Sequence, residues 1–308
     1  MRHRTVAGRL LLALCGLVFT MTGCSTDPAA PGQGQPDGPD AKQPFDIVRS
    51  EQVGLIDHAQ QRIRNTCLAD AGYPHDRDHH LARPQDPFGF LTVSARDFGP
   101  TSEDEARRTG FGRDFGGEPA RVVSTDPNYD AASERCAQLA WDRLGPAARE
   151  VRTAYSDLVN ALAPYRRDVD AELPADLPGK LMNCMAGRGY AVPDQDAFRK
   201  TPSHRLFGIA YGHLETGAEE TWEPVRRPGT VEVGPAIPPR RYIPTPAESE
   251  LAVAWFHCGR ETGRVDAQLA GVQRVQARYV EKYRTWIDEL NPKVEEMARH
   301  AAGIASGS

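Results

Sequence analysis

Four cysteines placed in two similar stretches constrain the fold of this 308-residue chain more than any other feature. The heptapeptide Cys67–Tyr73 (CLADAGY) recurs as Cys184–Tyr190 (CMAGRGY), with Cys, Ala, Gly and Tyr in the same places. A later cysteine follows each copy, Cys136 in the first and Cys258 in the second. A pattern that recurs over so long a period suggests two structural copies of one unit.

A second shared element lies between the two cysteines of each copy. Phe88-Gly89-Phe90 corresponds to Phe207-Gly208-Ile209 at an offset of 119 residues, between the offsets of the first cysteines (117) and the second cysteines (122). Two copies separated by small insertions produce such a slowly rising offset. Chance can explain any one match, but three matches in the same order favour duplication.

The first 23 residues have the three-part layout of a secretory signal. Arg2, Arg4 and Arg9 precede an apolar run over Leu10–Thr20, and Met21–Cys24 (MTGC) follows. This run is about half of the roughly 20 apolar residues that a membrane-spanning helix needs. A transmembrane anchor is therefore not expected.

The end of this leader resembles the lipobox of bacterial lipoprotein signals. In that family the cysteine receives a diacylglycerol and becomes the first mature residue, held in the membrane by acyl chains such as palmitate. The resemblance implies that Cys24 is the lipid attachment site. It also implies that the chain is anchored at the extracytoplasmic face of the cell membrane. A secreted protein cleaved near Gly23 is the alternative.

Removal of the leader changes both the charge and the cysteine count. Residues 1–23 contain three arginines and no acidic residue, so the formal charge goes from −5 to −8. A nucleic-acid partner normally requires a basic face, and none is expected here. Cys15 is removed with the leader and Cys24 is lipidated, which leaves four of the six cysteines.

An even number of cysteines in an exported chain indicates disulfides. Count alone allows three pairings of these four. If the two copies fold alike, Cys67 pairs with Cys136 and Cys184 pairs with Cys258. A four-thiolate zinc site is the alternative, but zinc ligands usually come in close pairs, and the nearest two of these cysteines are 48 residues apart.

Each copy shows the same order of predicted elements. A helix runs into the first cysteine, over Val53–Ala71 and Leu177–Arg188, and ends at a glycine where a left-handed cap is expected. A long Pro- and Gly-rich segment then leads to the second cysteine, with strand-like stretches at Phe88–Val93, Leu206–Tyr211 and Thr230–Val233. Such long irregular segments are usually functional or disordered, and the disulfides favour ordered ones.

A long amphipathic helix follows each second cysteine. Apolar residues recur at steps of four and three over Leu144–Val169 and over Val265–Leu290, where Gln276 interrupts the series. Asn291-Pro292 predicts a break or kink near Pro292. We therefore predict a mainly α protein with short β segments, built from two duplicated disulfide-linked units that each contain a long amphipathic helix.

The predicted organisation has four parts. They are a lipoprotein signal peptide (1–23), a disordered Pro- and Gly-rich tether (24–44), a first repeat unit (45–172) and a second repeat unit (173–308). The tether prediction depends on Ser25–Pro44, which has five prolines and no apolar periodicity. Such a stretch cannot bury enough surface to offset the entropy lost on ordering.

The densest polar cluster follows the first heptapeptide. His75, Asp78, His79 and His80 offer imidazole and carboxylate groups that could ligate a divalent metal or act as acid and base. The equivalent stretch of the second copy, 192–200, has no histidine, so a solvated loop is the favoured interpretation. The sequence lacks a Gly-x-Ser-x-Gly elbow, a His-Glu-x-x-His zinc motif, a phosphate loop and a dinucleotide fingerprint. We predict no cofactor and no catalytic residue.

The mature chain resembles a set of actinobacterial exported proteins and lipoproteins with Cys-Met-x-x-x-Gly-aromatic motifs. The matching residues are Cys67, Gly72 and Tyr73, then Cys184, Met185, Gly189 and Tyr190, with Phe88-Gly89, Phe207-Gly208, Cys136 and Cys258. The resemblance spans roughly residues 50 to 290. Its motifs are structural, so it implies disulfide-linked units and no particular activity.

These observations together predict a lipid-anchored, non-catalytic binding or accessory protein of the cell envelope. It would bind a ligand or a partner, such as another envelope protein, through its Pro- and Gly-rich segments. An envelope hydrolase, possibly metal-dependent and using the histidine cluster, is the main alternative. A solute-binding lipoprotein of a transporter is a further one. Such proteins usually have two α/β lobes, and the regular alternation of strands and helices that signals them is missing here.

Overall fold

Ten α-helices joined by irregular segments make up most of the part of the chain that the structure describes. This is a computed structural model that describes residues 42–77, 84–215 and 222–306. The helices are α1 (Ser50–Asp70), α2 (Glu103–Thr109), α3 (Pro127–Leu144), α4 (Ala148–Leu162), α5 (Tyr165–Ala171), α6 (Leu177–Gly187), α7 (Gln195–Lys200), α8 (Pro246–Glu261), α9 (Arg264–Lys282) and α10 (Arg284–Ser306). The strands are β1 (Val122–Ser124), β2 (His213–Leu214), β3 (Val231–Val233) and β4 (Tyr242–Ile243).

The prediction of a mainly α fold with short β segments is confirmed. Within the described ranges, no helix is both long and apolar enough to cross a membrane. The predicted signal peptide, Cys24 and the tether up to residue 41 lie outside the described residues.

Each disulfide joins two helices of the same predicted repeat unit. Cys67 on α1 is bonded to Cys136 on α3, and Cys184 on α6 is bonded to Cys258 on α8. This is the pairing predicted for two copies that fold alike. Because all four sulfur atoms are in disulfides, the zinc alternative does not apply.

The repeated heptapeptide forms the same helix cap twice. Gly72 and Gly189, which follow α1 and α6, have φ angles of +103° and +89°, a conformation that glycine adopts without a steric penalty. The N–H of Tyr73 and that of Tyr190 each donate to the carbonyl five residues earlier, at 3.0 Å in both copies. This bond is characteristic of the Schellman motif. Each tyrosine then packs against the hydrophobic cluster that contains its own disulfide.

Helices of both predicted units contribute to one helical core, and the second unit also has a separate hydrophobic cluster around Trp255 and Cys258. Helix α1 packs against α3 and also against α10, α4 packs against α10, and α5 packs against α9. The second unit therefore supplies the last two helices of a bundle whose other members belong to the first. Its buried side chains include Val53, Ile56, Tyr155, Leu158, Leu162, Ile287 and Val294.

Gln276, which interrupts the predicted apolar series, is fully buried on α9. Its Nε2 donates to the Leu91 carbonyl at 3.1 Å, and its Oε1 accepts from the Phe45 N–H at 3.4 Å. A buried amide is tolerated when its donors and acceptors are satisfied. Here it connects two irregular segments of the chain to the core.

The long amphipathic series are divided among several helices. Gly145 (φ +131°) ends α3, and Pro164 separates α4 from α5. In the second unit α8, which carries Cys258, ends before Gly263 (φ +65°), and α9 ends before Tyr283. The apolar periodicity continues across these breaks because the successive helices pack against the same core.

Of the break or kink predicted near Pro292, the break is wrong, since α10 continues through this residue. Asn291 Nδ2 donates to the Ile47 carbonyl at 3.0 Å, and the Tyr155 hydroxyl donates to Asn291 Oδ1 at 3.0 Å. Leu290 and Val294 are buried on either side. These tertiary contacts stabilise the helix at Pro292, where proline supplies no N–H for an intrahelical hydrogen bond.

Two of the three predicted strands are also wrong. Phe88–Val93 contains a 3-10 turn over Gly89–Leu91, and Leu206–Tyr211 begins inside a 3-10 turn over His204–Phe207. Phe88 and Leu91 are both buried, a spacing of three that suits a 3-10 turn. The stretch Thr230–Val233 does contain a strand, β3.

We expect each disulfide to contribute about 4 kcal/mol to the free energy of unfolding, since the bridges close loops of 69 and 74 residues in the chain-entropy model. The double variants Cys67→Ser/Cys136→Ser and Cys184→Ser/Cys258→Ser should each show a correspondingly lower urea midpoint. Peptide mapping without reduction provides the check on pairing. A peptide linking Cys67 to Cys184 would contradict the structure.

Candidate binding surface

The two Pro- and Gly-rich segments pair with each other as one antiparallel ribbon, formed by residues 115–125 and 230–240. Strands β1 and β3 form its regular end, and isolated bridges continue it. The pairs are Phe115 with Arg240, Glu118 with Ile237, Val122 with Val233, Val123 with Glu232 and Ser124 with Val231. All five pairs share a single register. The ribbon thus joins the first predicted unit to the second.

Prolines decide where the ribbon can form backbone hydrogen bonds, because proline has no N–H. Phe115 and Arg240 exchange N–H to carbonyl bonds of 2.8 and 2.9 Å, and Glu118 and Ile237 exchange two of 2.9 Å. Pro238 and Pro239 lie between the two bridged pairs, whereas Pro119 and Pro235 lie between the Glu118–Ile237 pair and the strands β1 and β3. The ladder is therefore intermittent until it reaches β1 and β3.

The inner face of the ribbon covers the first disulfide. Val122 and Val231 pack against the cluster that contains Cys136, Leu68 and Tyr129. A two-stranded ribbon is marginally stable in water by itself. The covalently linked pair of helices beneath it supplies the apolar surface that it needs.

The outer side of the same region exposes apolar and cationic side chains. Val225 and Ile243, beside the ribbon, have exposed fractions of 67% and 45%. Four exposed arginines lie on or beside the ribbon, and none makes an ion pair with a residue in the described ranges: Arg121, Arg226, Arg227 and Arg241. Arg226 also has φ +53°, a left-handed conformation that is costly for a residue with a Cβ. Strained positions of this kind cluster at binding sites.

The buried carboxylate of Glu248, in the first turn of α8, binds backbone groups of two irregular segments. Oε1 accepts from the Phe111 N–H at 2.9 Å, and Oε2 accepts from the Gly212 N–H at 2.7 Å. The Tyr242 hydroxyl lies 2.9 Å from Oε2. Burial, and then its bond to Glu248, raises the pKa of Tyr242 to about 12. One side chain thereby connects segments from both predicted units.

Close packing around Glu248 explains why Phe111 lies between two glycines, Gly110 and Gly112. A side chain at Gly112 would lie 2.1 Å from the Tyr242 ring, and one at Gly110 would lie 2.6 Å from Glu248 Oε1. Glycine is required at both positions, so the backbone can approach the carboxylate.

Phe111 enters an aromatic cluster of the second unit. Its ring stacks on His204 with the ring centroids 3.8 Å apart, and it meets Trp255 edge-on at 6.1 Å. The Tyr211 hydroxyl donates to the His204 carbonyl at 2.8 Å and lies 2.8 Å from His204 Nδ1. Because the hydroxyl has one proton, a neutral His204 donates from Nδ1. Burial, and then the nearby Arg205, lowers the pKa of His204 to about 4.

A polar group lies beside the first disulfide and includes one residue of the predicted histidine cluster. His75 Nε2 is 3.1 Å from Oδ2 of the buried Asp76, and the Tyr129 hydroxyl donates to Asp76 Oδ1 at 3.1 Å. Burial, and then the Asp76 charge, raises the pKa of Tyr129 to about 12. A carboxylate that orients a histidine occurs in hydrolytic sites. It is the arrangement most relevant to the hydrolase alternative.

The other candidate residues of that cluster, Asp78, His79 and His80, lie outside the described residues. Among the residues that the structure does describe, one set of His, Cys, Asp or Glu side chains is close enough to hold a metal ion: Cys184, Cys258 and Glu261. Two of its three members are joined in a disulfide. That set therefore lacks the thiolates that a metal would need.

Several residues of this surface were not identified from the sequence. Glu248, Phe111 and His204 belong to no motif, and their roles depend on contacts between residues as far as 137 positions apart. The Gly-Phe-Gly stretch followed by Arg113 was the only local signal of a close backbone approach.

Replacement of the buried carboxylate tests its role. In Glu248→Gln an NH2 replaces one of the two carboxylate oxygens and faces the backbone N–H of Phe111 or of Gly212, which leaves that buried donor without an acceptor. We expect a loss of about 3 kcal/mol in the free energy of unfolding by urea denaturation. Glu250→Gln, at an exposed position of the same helix, should leave it unchanged. Equal stability of the two variants would show that Glu248 does not hold these segments.

The lowered pKa of His204 predicts loss of stability in acid. The unfolded chain takes up a proton near the ordinary histidine pKa of about 6.5, whereas folded His204 does so only near 4, so the stabilisation is complete above pH 6.5 and decreases as the pH falls toward 4. An interval of about 2.5 pH units corresponds to about 3.4 kcal/mol for a fully buried group. Because His204 is only partly buried, solvent screening reduces the expected change to about 2 kcal/mol, measured as the difference in urea stability between wild type and His204→Phe. A pH profile identical in both proteins would contradict this origin.

Comparison with protein-family models, with curated proteins and with solved structures finds no match to this chain. The functional conclusion therefore has to come from the geometry of the surface and from the sequence itself.

Proposed function

We propose that this protein is a lipid-anchored, extracytoplasmic envelope protein that binds another envelope protein through the ribbon and the exposed residues beside it, and that it is not an enzyme. The anchor part of the proposal depends on the lipobox resemblance at Met21–Cys24. The tether after it would hold the folded part away from the bilayer.

One observation carries the binding part of the proposal. The two Pro- and Gly-rich segments pair in a single register over a disulfide-linked helix pair. Exposed Val225 and Ile243 lie beside the ribbon, together with four exposed arginines that make no ion pair within the described ranges. Binding residues are often found on irregular segments held by a rigid scaffold. Exposed cationic and apolar side chains together are typical of protein interfaces.

The alternatives have less support. A hydrolase could use His75, which has Asp76 as a partner, but Asp76 also binds Tyr129 and so belongs to a buried structural network. A solute-binding lipoprotein usually has two α/β lobes with parallel sheets. The sheets in the described ranges are two antiparallel pairs in a helical protein.

Site-specific cross-linking in intact cells tests the proposal. With a photoreactive residue at Val225 or Ile243 of the full-length lipoprotein, we expect a discrete cross-linked species. A photoreactive residue at Asn160, exposed on α4, serves as the matched control and should give none. Reversal of charge at Arg121, Arg226, Arg227 and Arg241 should abolish the species, and Cys24→Ser should release the protein from the membrane fraction.

Two results would contradict the proposal. One is the same cross-linked species from Asn160 as from Val225, since binding would then not involve the ribbon. The other is turnover of a cell-wall substrate by the purified full-length protein that is lost in His75→Ala, which would favour the hydrolase.

A further inference from the structure

We infer that the free edge of β1 accepts an extended, acidic segment of the partner protein as an additional strand. This inference rests on the proposed function and specifies how the partner is recognised. Strand addition supplies affinity through main-chain hydrogen bonds, and neighbouring side chains supply specificity.

The hydrogen-bond pattern shows which backbone groups of β1 point outward. The Arg121 carbonyl accepts from the Gly234 N–H at 2.8 Å, and the Thr125 N–H donates to the Thr230 carbonyl at 2.9 Å. Groups that face the partner strand alternate along an antiparallel pair. Residues 121, 123 and 125 therefore face β3, whereas the N–H and C=O groups of Val122 and Ser124 face away from it.

These outward groups have no backbone partner anywhere in the ranges 42–77, 84–215 and 222–306. An open row of donors and acceptors is a template for another strand. The edge is also preformed, since Val122 packs on the disulfide cluster and Asp126, just after β1, caps α3 through the Asn128 N–H at 2.9 Å. A preformed edge lowers the entropy cost of adding a strand.

The opposite edge is less open because the chain folds back along β3. The Val225 N–H donates to Glu232 Oε2 at 2.8 Å. A Cβ atom at Gly234 would lie 2.5 Å from the Trp222 ring. Among the residues that the structure describes, this return segment crowds β3 and leaves β1 as the accessible side of the ribbon.

Charge decides what kind of strand can be added. Exposed Arg121 precedes β1, and the Thr125 hydroxyl at its other end donates to the Arg227 carbonyl, with Arg226 adjacent. The cations therefore flank both ends of a strand that spans about 10 Å. A second copy of the ribbon would bring like charges together, which disfavours self-pairing. An acidic segment would instead form ion pairs with the arginines.

Binding of synthetic peptides to the full-length protein in detergent tests the inference. The probes are a fluorescent peptide of alternating Thr and Glu and its counterpart of alternating Thr and Lys. Fluorescence anisotropy should show binding of the acidic peptide at millimolar concentration and none of the basic one. Hydrogen exchange should show new protection at the amides of Val122 and Ser124.

Two proline variants separate the edges. Val122→Pro removes an outward N–H of β1 and leaves the ladder with β3 intact. It should therefore weaken binding of the acidic peptide about fivefold or more. The matched control, Val233→Pro, removes the outward N–H of the residue directly opposite and should not weaken it. In Arg121→Glu/Arg227→Glu the preference should change to the basic peptide, which tests the inference even if a proline variant fails to fold.

Equal binding of the two peptides, equal weakening by the two proline variants, or no acidic-peptide binding at all would overturn the inference. Its failure is distinguishable from failure of the proposed function. Cross-links from Val225 without peptide binding at β1 would leave the function standing and reject strand addition. Peptide binding without any cross-linked partner in cells would reject the function.

Discussion

The mutual pairing of the two Pro- and Gly-rich segments is the interaction on which the rest of this structure depends. Neither segment can form a regular sheet alone, because its prolines lack donors and its glycines add no packing surface. In one register each supplies the acceptors and donors that the other needs. The disulfide-linked helices beneath them provide the apolar surface, and the ribbon in turn covers the first disulfide.

Buried polar side chains complete this arrangement in three places. Glu248 binds the backbone at Phe111 and Gly212, Gln276 binds it at Phe45 and Leu91, and Asn291 binds it at Ile47. In each case a helix supplies the side chain and an irregular segment supplies the backbone groups. Irregular chain buried against a core leaves backbone groups that no ladder satisfies, and these side chains satisfy them.

What could be predicted from the sequence is what local chemistry determines. The glycine caps after Cys67 and Cys184, the disulfide pairing and the strand near Val231 follow from spacing and residue type. The 3-10 turn after Phe88 and the continuous helix through Pro292 do not, because tertiary contacts outweigh local preference there. At the binding surface, the Pro- and Gly-rich segments were identified as the candidate region. Glu248 and His204 were missed because their partners are distant in sequence.

The ribbon has a consequence for the order in which the chain folds. Phe111 and Glu248 are 137 residues apart, and Gln276 and Phe45 are 231 residues apart, so these contacts close long loops. Folding slows as contacts become less local. Until the second half of the chain is available, the strand that the first half contributes to the ribbon has no partner, and Cys67 and Cys136 have no ribbon over them. Both cysteines lie in the first half, so their disulfide can form before the ribbon covers it.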